Sequence, residues 1–362
     1  MNTIKRSLTV ALLLSAVVGM SATASAQTEE PVDLEALYQE IDVTIGESPH
    51  FVKERELKID DCRRKLQAEQ SAEKRLELAE KLFDLFQPYR NDSALYYIEQ
   101  CITLADSLKR PDLEGRFRAQ MAHRCSGIRM YSEAFEQLKL IRKSALDQVG
   151  LSYYYGAWMH LYGELGSYTE RPGMQQVYYD QQNAYRDSVL MVAPEGTEDW
   201  YHMKMDILNG RRYYQEALQF SNRWIRNAPP NSHARAFAAF YRSMVYSNLH
   251  NEEQTRYWLG RSAIEDIKCG VMDQASLLFL AEHLANDGDI ERAQRYLEFS
   301  KRCNDYFCHH MRSYQVNSVI AIIEKSREAA EKRASLWFTV SMVVTALLLL
   351  TLIIVIIRKI KK

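Results

Sequence analysis

Apolar residues recur along most of this chain at intervals of three and four, the spacing that places them on one face of an α-helix. Glycine and proline are scarce, with 14 and 8 copies. No run of alternating β-branched residues is long enough to predict a strand. The pattern therefore predicts an all-α protein.

The segment that follows residue 27 shows two successive apolar faces. The first face is carried by Leu34, Leu37 and Ile41, and the second by Val52, Ile59, Cys62 and Leu66. Gly46 to Pro49 lies between them and contains the two residue types that most often end helices. We expect residues 27–71 to form a helical hairpin or a short coiled segment that caps the rest of the chain.

From about Ala72 onward, the chain repeats an apolar helix, a short polar turn and a second helix that opens on a small residue. These small residues align as Ala94, Ala134, Ala217, Thr255 and Ala293. Their intervals are 40, 83, 38 and 38 residues, and 83 divides into two units with a degenerate member near Gln175 or Gln176. Residues 72–333 are therefore predicted to contain six helical pairs.

This arrangement resembles the tetratricopeptide repeat, in which a small residue at the start of the second helix lets the paired helices approach closely. The clearest copy runs from Gln274 to Cys303, with Gly288 at the turn and Ala293 in the second helix. Its other apolar positions are Leu277, Leu280, Ala281, Leu284 and Leu297. The copies exceed the usual length of about 34 residues. The resemblance implies an α-solenoid, a fold whose extended surface commonly binds other proteins.

The first 26 residues have the parts of a secretory signal peptide. Lys5 and Arg6 precede an apolar run from Leu8 to Val18, and Ala24 to Ala26 offers a small-residue cleavage site. The alternative is an uncleaved anchor, but the apolar run is shorter than the roughly 20 residues that a spanning helix needs. We expect cleavage before Gln27.

A second apolar stretch, residues 334–357, contains no charged residue and is long enough to cross a bilayer. Trp337 near the start of this stretch suits the aromatic belt at the membrane interface. The stretch is followed by the basic residues Arg358, Lys359, Lys361 and Lys362. The positive-inside rule then places residues 358–362 in the cytoplasm and residues 27–333 outside it. Ser341 and Thr345 form a small-xxx-small step through which two spans could pack, so a homo-oligomer is one expectation.

The complete layout also resembles a group of exported bacterial proteins that combine a signal peptide, tetratricopeptide-like repeats and one C-terminal span. The segments NDSALYY, GDIERAQRYL and residues 303–318 carry this resemblance. It implies an inner-membrane protein with a periplasmic body. Longer members continue into a coiled coil and a DNA-binding helix-turn-helix, which suggests a sensor. Only five residues follow the span here, so we expect any output domain to be missing from this sequence or to lie on another chain.

The charge balance argues against nucleic acid as a partner. The chain has 46 basic and 47 acidic residues, and six of the basic residues lie in the signal segment and the tail. The predicted external part therefore has a net charge of about −7. Nucleic-acid binding requires a concentrated Lys/Arg surface, which this composition does not predict.

The motifs of common enzymes are missing from the sequence, namely GxGxxG, the P-loop, HExxH and GxSxG. Asn286 to Asp289 gathers oxygen ligands, but a calcium loop spreads its ligands over about 12 residues. This segment is therefore predicted to be a polar turn. We expect no enzymatic activity, no catalytic residues, no cofactor and no metal. The alternative is an enzyme with an unrecognised site.

All six cysteines fall in the predicted external part, and four of them sit in helical apolar patterns, where cysteine packs as a small apolar residue. Cys303 and Cys308, with His309 and His310, gather soft and imidazole ligands near the membrane. On a continuous helix the two cysteines would point about 140° apart. Packing is therefore the expectation, and a local disulfide or metal site is the alternative that a turn would allow.

Aromatic residues are concentrated between Tyr153 and Tyr201, where nine of the 22 tyrosines lie together with Trp158 and Trp200. At helical spacing, Tyr154, Trp158 and Tyr162 form one stripe, and Tyr178, Tyr179 and Tyr185 fall on the next helix. Tyrosine and tryptophan anchor interfaces because they combine rigid apolar area with a polar tip. The alternative is that they form ordinary core between repeats.

These patterns favour a membrane-anchored scaffold that binds a protein or peptide. Its predicted partner-binding residues are Tyr154, Trp158, Tyr162, Tyr178 and Tyr179. The alternative is a sensory membrane protein that passes an external signal to a cytoplasmic effector.

Overall fold

The computed structural model describes residues 32–307 and 312–360. Within these ranges the chain forms fourteen α-helices, a short 3₁₀ turn at Lys143–Ala145 and no strand. The helices are α1 (Leu34–Ala68), α2 (Ala72–Phe86), α3 (Asn91–Ser107), α4 (Pro111–Gly127), α5 (Tyr131–Lys139), α6 (Gln148–Ser167), α7 (Pro172–Val192), α8 (Glu198–Gly210), α9 (Tyr214–Asn227), α10 (His233–Asn248), α11 (Glu252–Lys268), α12 (Ala275–Asp287), α13 (Ile290–Phe307) and α14 (Arg312–Ile360). The signal segment and residues 308–311, which include Cys308, His309 and His310, lie outside the described residues.

Helices α2 to α13 form six consecutive antiparallel pairs, beginning with α2 and α3 and ending with α12 and α13. The small residue of each unit is the fourth residue of the second helix, namely Ala94, Ala134, Ala217, Thr255 and Ala293. The four alanines are fully buried and Thr255 is 2% exposed. The predicted α-solenoid of six pairs and its repeat register are therefore confirmed.

The third pair meets the requirement for close approach in a different way. Gln175 is the fourth residue of α7, and its side chain donates a hydrogen bond to the Gly166 carbonyl at 3.1 Å. The small residues are on α6 instead. A Cβ atom on Gly166 would lie 2.7 Å from the Tyr179 ring, and one on Gly163 would lie 2.6 Å from the Gln182 amide. These two glycines let α6 and α7 pack closely despite the large residue at position 175.

The predicted break at Gly46 to Pro49 is wrong, because α1 is a single helix of 35 residues with Pro49 inside it. An internal proline costs a helix about 3 kcal/mol or more. Tertiary burial on both sides of Pro49 offsets this cost. Leu37 and Ile41 pack on α11, where a Cβ on Gly260 would lie 2.6 Å from the Leu37 side chain, and Ile59 is buried beyond the proline.

Helix α1 contacts both ends of the array. It packs against α2, which begins the first pair, and against α11 in the fifth pair. Arg55 donates to the Leu85 carbonyl at the end of α2 and to the Cys269 carbonyl at the end of α11. Tyr296 of α13 donates to the Tyr38 carbonyl at 3.2 Å. One apolar core therefore contains residues of the first and the last pairs.

Helix α14 begins as part of this core and then leaves it. Val316, Val319 and Ile323 are buried, and the helix packs on α12 and α13. Described side chains from Leu336 onward are exposed, and Trp337 is 73% exposed. By its length and composition, this helix contains the one candidate membrane span in the described part, Val319–Leu349. An apolar C-terminal helix of this kind is consistent with membrane anchoring.

Substituting Ala293 tests the helix-crossing register. Ala293→Leu should destabilise the protein by about 1–3 kcal/mol, because a fully buried crossing must accept a larger side chain. Thermal unfolding of the full-length protein in detergent measures this. Ala184→Leu is the matched control, since Ala184 is exposed on α7. Equal melting temperatures for the two variants would contradict the register.

Substituting Arg55 tests the connection between the two ends of the array. Arg55→Met should cost at least about 1.5–3 kcal/mol, the value of one hydrogen bond to a charged group, because two helix-terminal carbonyls lose their donor. Urea unfolding followed by circular dichroism measures the loss. Arg64→Met on the same helix, where the Arg64 side chain is 76% exposed, should change stability little. A similar small effect for Arg55→Met would show that α1 is held by apolar packing alone.

Candidate partner-binding surface

The third helical pair is the least covered part of the repeat array. Val189 is the only buried residue of α7. Three large apolar side chains on this helix are exposed, Met174 at 46%, Val177 at 51% and Met191 at 78%. Helix α7 therefore packs on α6 and leaves much of its apolar surface open to solvent.

An aromatic stack lies between α6 and α7, formed by Trp158, Tyr162 and Tyr185. The ring centroids of Trp158 and Tyr162 are 5.6 Å apart, those of Trp158 and Tyr185 are 5.7 Å apart, and those of Tyr162 and Tyr185 are 5.8 Å apart. The three rings lie within 22° of parallel. All three side chains are half-buried, so the stack combines packed and open ring area. We call these three residues the aromatic stack.

The predicted site residues divide into two groups. Tyr154 contacts Trp158 edge-on with centroids 6.5 Å apart, and Tyr178 lies 6.2 Å from Tyr162, so both border the stack. Tyr179 does not join it, because its ring lies over Gly166 at the crossing of α6 and α7. Tyr185 belongs to the stack, although sequence reasoning left it out of the proposed site.

One side of the stack continues into the core of the second and third pairs. Tyr154 and Trp158 pack on a cluster that includes Ala134, Leu138 and Leu161, and Phe135 meets Trp158 edge-on at 5.6 Å. Burial raises the pKa of Tyr162 and of Tyr185, so both phenols remain neutral hydrogen-bonding groups. The indole Nε1 of Trp158 has no hydrogen-bond partner within the described part of the chain. The stack therefore combines a structural side with an open side.

A second surface runs across the first helices of successive pairs, and we call it the first-helix face. The imidazoles of His123 and His160 lie 4.1 Å apart, and Ser126 Oγ is 2.7 Å from His160 Nδ1. On the next helices, Tyr241 contacts His202 through its hydroxyl. Desolvation and the nearby His160 imidazole lower the pKa of His202 to about 4, so this ring is neutral at pH 7.

Carboxylates lie on and behind this face, since Asp199 belongs to α8, whereas the buried Asp266 belongs to α11, a second helix. Ser152 donates to Asp199 at 3.0 Å, and His233 Nδ1 lies 2.7 Å from Asp266. Although desolvation opposes the charged form, the Asp266 carboxylate raises the pKa of His233 to about 9. Among the described residues, no group of three or more His, Cys, Asp and Glu side chains is arranged to hold a metal ion. The first-helix face is polar and of mixed charge.

Sequence reasoning missed this face because its residues are far apart along the chain. The regular spacing of its residues along the chain could have indicated the face. His123, His160, His202 and Tyr241 recur at intervals of 37, 42 and 39 residues, close to the length of the repeat. The face is distinct from the aromatic stack, since His160 and Trp158 are two residues apart and so point about 160° from each other around α6.

Comparison with known proteins identifies the fold family. No curated protein matches the chain. The family model described as the SusR N-terminal TPR domain matches residues 45–318, more than half of the chain. The match begins within α1 and ends within α14, so it spans all six helical pairs. The chain belongs to the family of the SusR N-terminal tetratricopeptide-repeat domain.

Proposed function

We propose that this protein is a membrane-anchored scaffold that holds a protein or peptide partner outside the cytoplasm. The observation that carries the proposal is the half-open aromatic stack on the least covered helical pair. Tetratricopeptide repeats generally mediate protein interactions and are generally not catalytic.

The chemistry of the stack suits a peptide partner. Tyrosine and tryptophan rings offer large contact areas and lose little conformational freedom on binding, and they are enriched at binding hot spots. Val177 and Met174, which are exposed on α7, extend the apolar area around the rings. The phenol of Tyr162 adds a neutral hydrogen-bonding group, and the Tyr178 hydroxyl adds a second hydrogen-bonding group at the edge of the stack. A peptide with apolar side chains and free backbone amides would match this surface.

The continuity of α14 favours a sensory role as the second candidate function. Its first turns pack on α12 and α13, and no glycine or proline interrupts it between Arg312 and Ile360. A displacement of the last pair could therefore be transmitted along one helix toward the membrane. The Ser341–Thr345 step stays a prediction for pairing of spans. The Thr345 hydroxyl donates to the Ser341 carbonyl at 2.8 Å, so it is satisfied within its own helix.

The membrane orientation is tested by reporter fusions. Alkaline phosphatase fused after Arg333 should be active, because the basic residues after the span favour a cytoplasmic tail and an external repeat array. The same enzyme fused after Lys362 should be inactive. A cytoplasmic reporter at each position serves as the complement, and the reverse pattern would place the array in the cytoplasm.

The aromatic surface is tested by photo-crosslinking in living cells. A photoreactive phenylalanine analogue at Tyr178 should give a discrete adduct with a partner, which mass spectrometry identifies. The same analogue at Tyr213, which is 53% exposed outside the stack, is the control and should give none. Adding Tyr162→Ala should abolish the adduct, since loss of a binding anchor typically costs about 2 kcal/mol or more.

Stability measurements separate binding from core packing in the same experiment. Tyr162→Ala should keep most of the wild-type melting temperature, whereas Tyr179→Ala should lower it, because it removes the ring that packs over Gly166 and leaves a cavity at the crossing of α6 and α7. If both variants unfold the protein, the stack is core. If the Tyr178 adduct survives Tyr162→Ala, the partner does not use Tyr162 as an anchor.

A further inference from the structure

A groove with a volume of ≈ 570 Å³ lies between α3, α4 and α5, and none of the stack residues lines it. Its apolar lining comes from Leu95, Tyr96, Met121, Cys125 and Met130. Tyr96 is 57% exposed and Met130 is 37% exposed, so the apolar lining reaches the surface. This size falls within the range of about 300–1,000 Å³ that is typical of ligand pockets.

The groove exists because two side chains are smaller than their counterparts in the next pair. Met121 and Cys125 are the eleventh and fifteenth residues of α4, and Trp158 and Tyr162 hold the same positions in α6. His123 and His160, both thirteenth in their helices, lie with their rings 4.1 Å apart, which confirms that α4 and α6 share this register.

In the third pair, aromatic rings occupy the space that is open here. Trp158 contacts Phe135 of α5 and Tyr185 of α7, so it fills the gap between those second helices. Among the residues that line the groove, only Tyr96 has an aromatic ring, and it lies at the edge. No ring of these lining residues fills the gap between α3 and α5. The open space therefore has the shape of a site for one aromatic side chain supplied by another molecule.

The rim of the groove is acidic, with Asp92, Glu99, Glu133 and Glu136. Glu136 pairs with Lys139 at 2.8 Å. Within the described part of the chain, no ion pair engages Asp92, Glu99 or Glu133. Uncompensated carboxylates around an apolar lining favour an occupant that carries positive charge beside an apolar group.

We infer that this groove binds a segment of a partner protein in which one aromatic side chain is flanked by lysines or arginines. The ring enters the space between α3 and α5 and meets the thioether of Met121. The flanking cations face Glu99 and Glu133. The site does not depend on the aromatic stack, so this inference and the proposed function can fail separately.

Peptide binding to the full-length protein tests the inference. The protein is placed in nanodiscs of zwitterionic phosphatidylcholine, and empty nanodiscs provide the blank. Fluorescence anisotropy then measures binding of a labelled peptide of sequence KKLWLKK. We expect saturable binding that weakens with salt, and at least tenfold weaker binding of both EELWLEE and KKSSSKK. Equal binding of either comparison peptide would overturn the inference.

Two variants test the site itself. Glu99→Lys combined with Glu133→Lys should weaken KKLWLKK binding at least tenfold, whereas Glu216→Lys should leave it unchanged. Glu216 is the matched control because it is exposed and holds in α9 the third position that Glu133 holds in α5. Met121→Trp should also abolish binding, since it places in α4 the ring that Trp158 provides in α6.

The results of these variants distinguish binding in the groove from binding at the aromatic stack and from a loss of stability. If Met121→Trp lowers the melting temperature, the charge variants still decide the result. Unchanged binding by the double charge variant would overturn the inference. If Tyr162→Ala removes KKLWLKK binding instead, the peptide occupies the aromatic stack and the groove is not its site.

Discussion

Two helices can cross closely only where a side chain is small, and this chain meets that requirement in every one of its helical pairs. Four of the pairs use an alanine at the fourth position of the second helix, and a fifth uses Thr255. The third pair places Gly163 and Gly166 on the first helix instead. Because the constraint concerns the crossing and not one position, the repeat persists even where its sequence marker is lost.

Because each close crossing needs a small residue, the array leaves a regular pattern in the sequence and was predictable. The path of α1 leaves no such pattern. Repeat spacing is a local property, so six pairs and their register follow from aligned alanines. The path of α1 depends instead on contacts more than 200 residues away, such as those of Arg55 with Cys269 and of Tyr38 with Tyr296. Local signals at Gly46 and Pro49 favour a break, and burial against α11 overrides them.

The candidate surfaces show the same division between local and distant information. The stripe of Tyr154, Trp158 and Tyr162 follows from helical spacing and is present on α6. The central place of Tyr185 and the packed place of Tyr179 depend on how α7 lies against α6, which Gly163 and Gly166 determine. The first-helix face joins residues of four helices, and only a comparison at the repeat period would have indicated it. Apolar and aromatic patterns within one helix could not have indicated this face.

Equivalent positions in successive pairs carry side chains of very different size, and this difference governs the surface. At the eleventh and fifteenth positions of the first helix, tryptophan and tyrosine fill the gap between α5 and α7, whereas methionine and cysteine leave the gap between α3 and α5 open. The backbone arrangement is shared, since His123 and His160 remain in register. A repeat array can thus open or close a groove by changing two side chains while its helix crossings stay the same. Its recognition properties can therefore vary without any change in the small residues that maintain the fold.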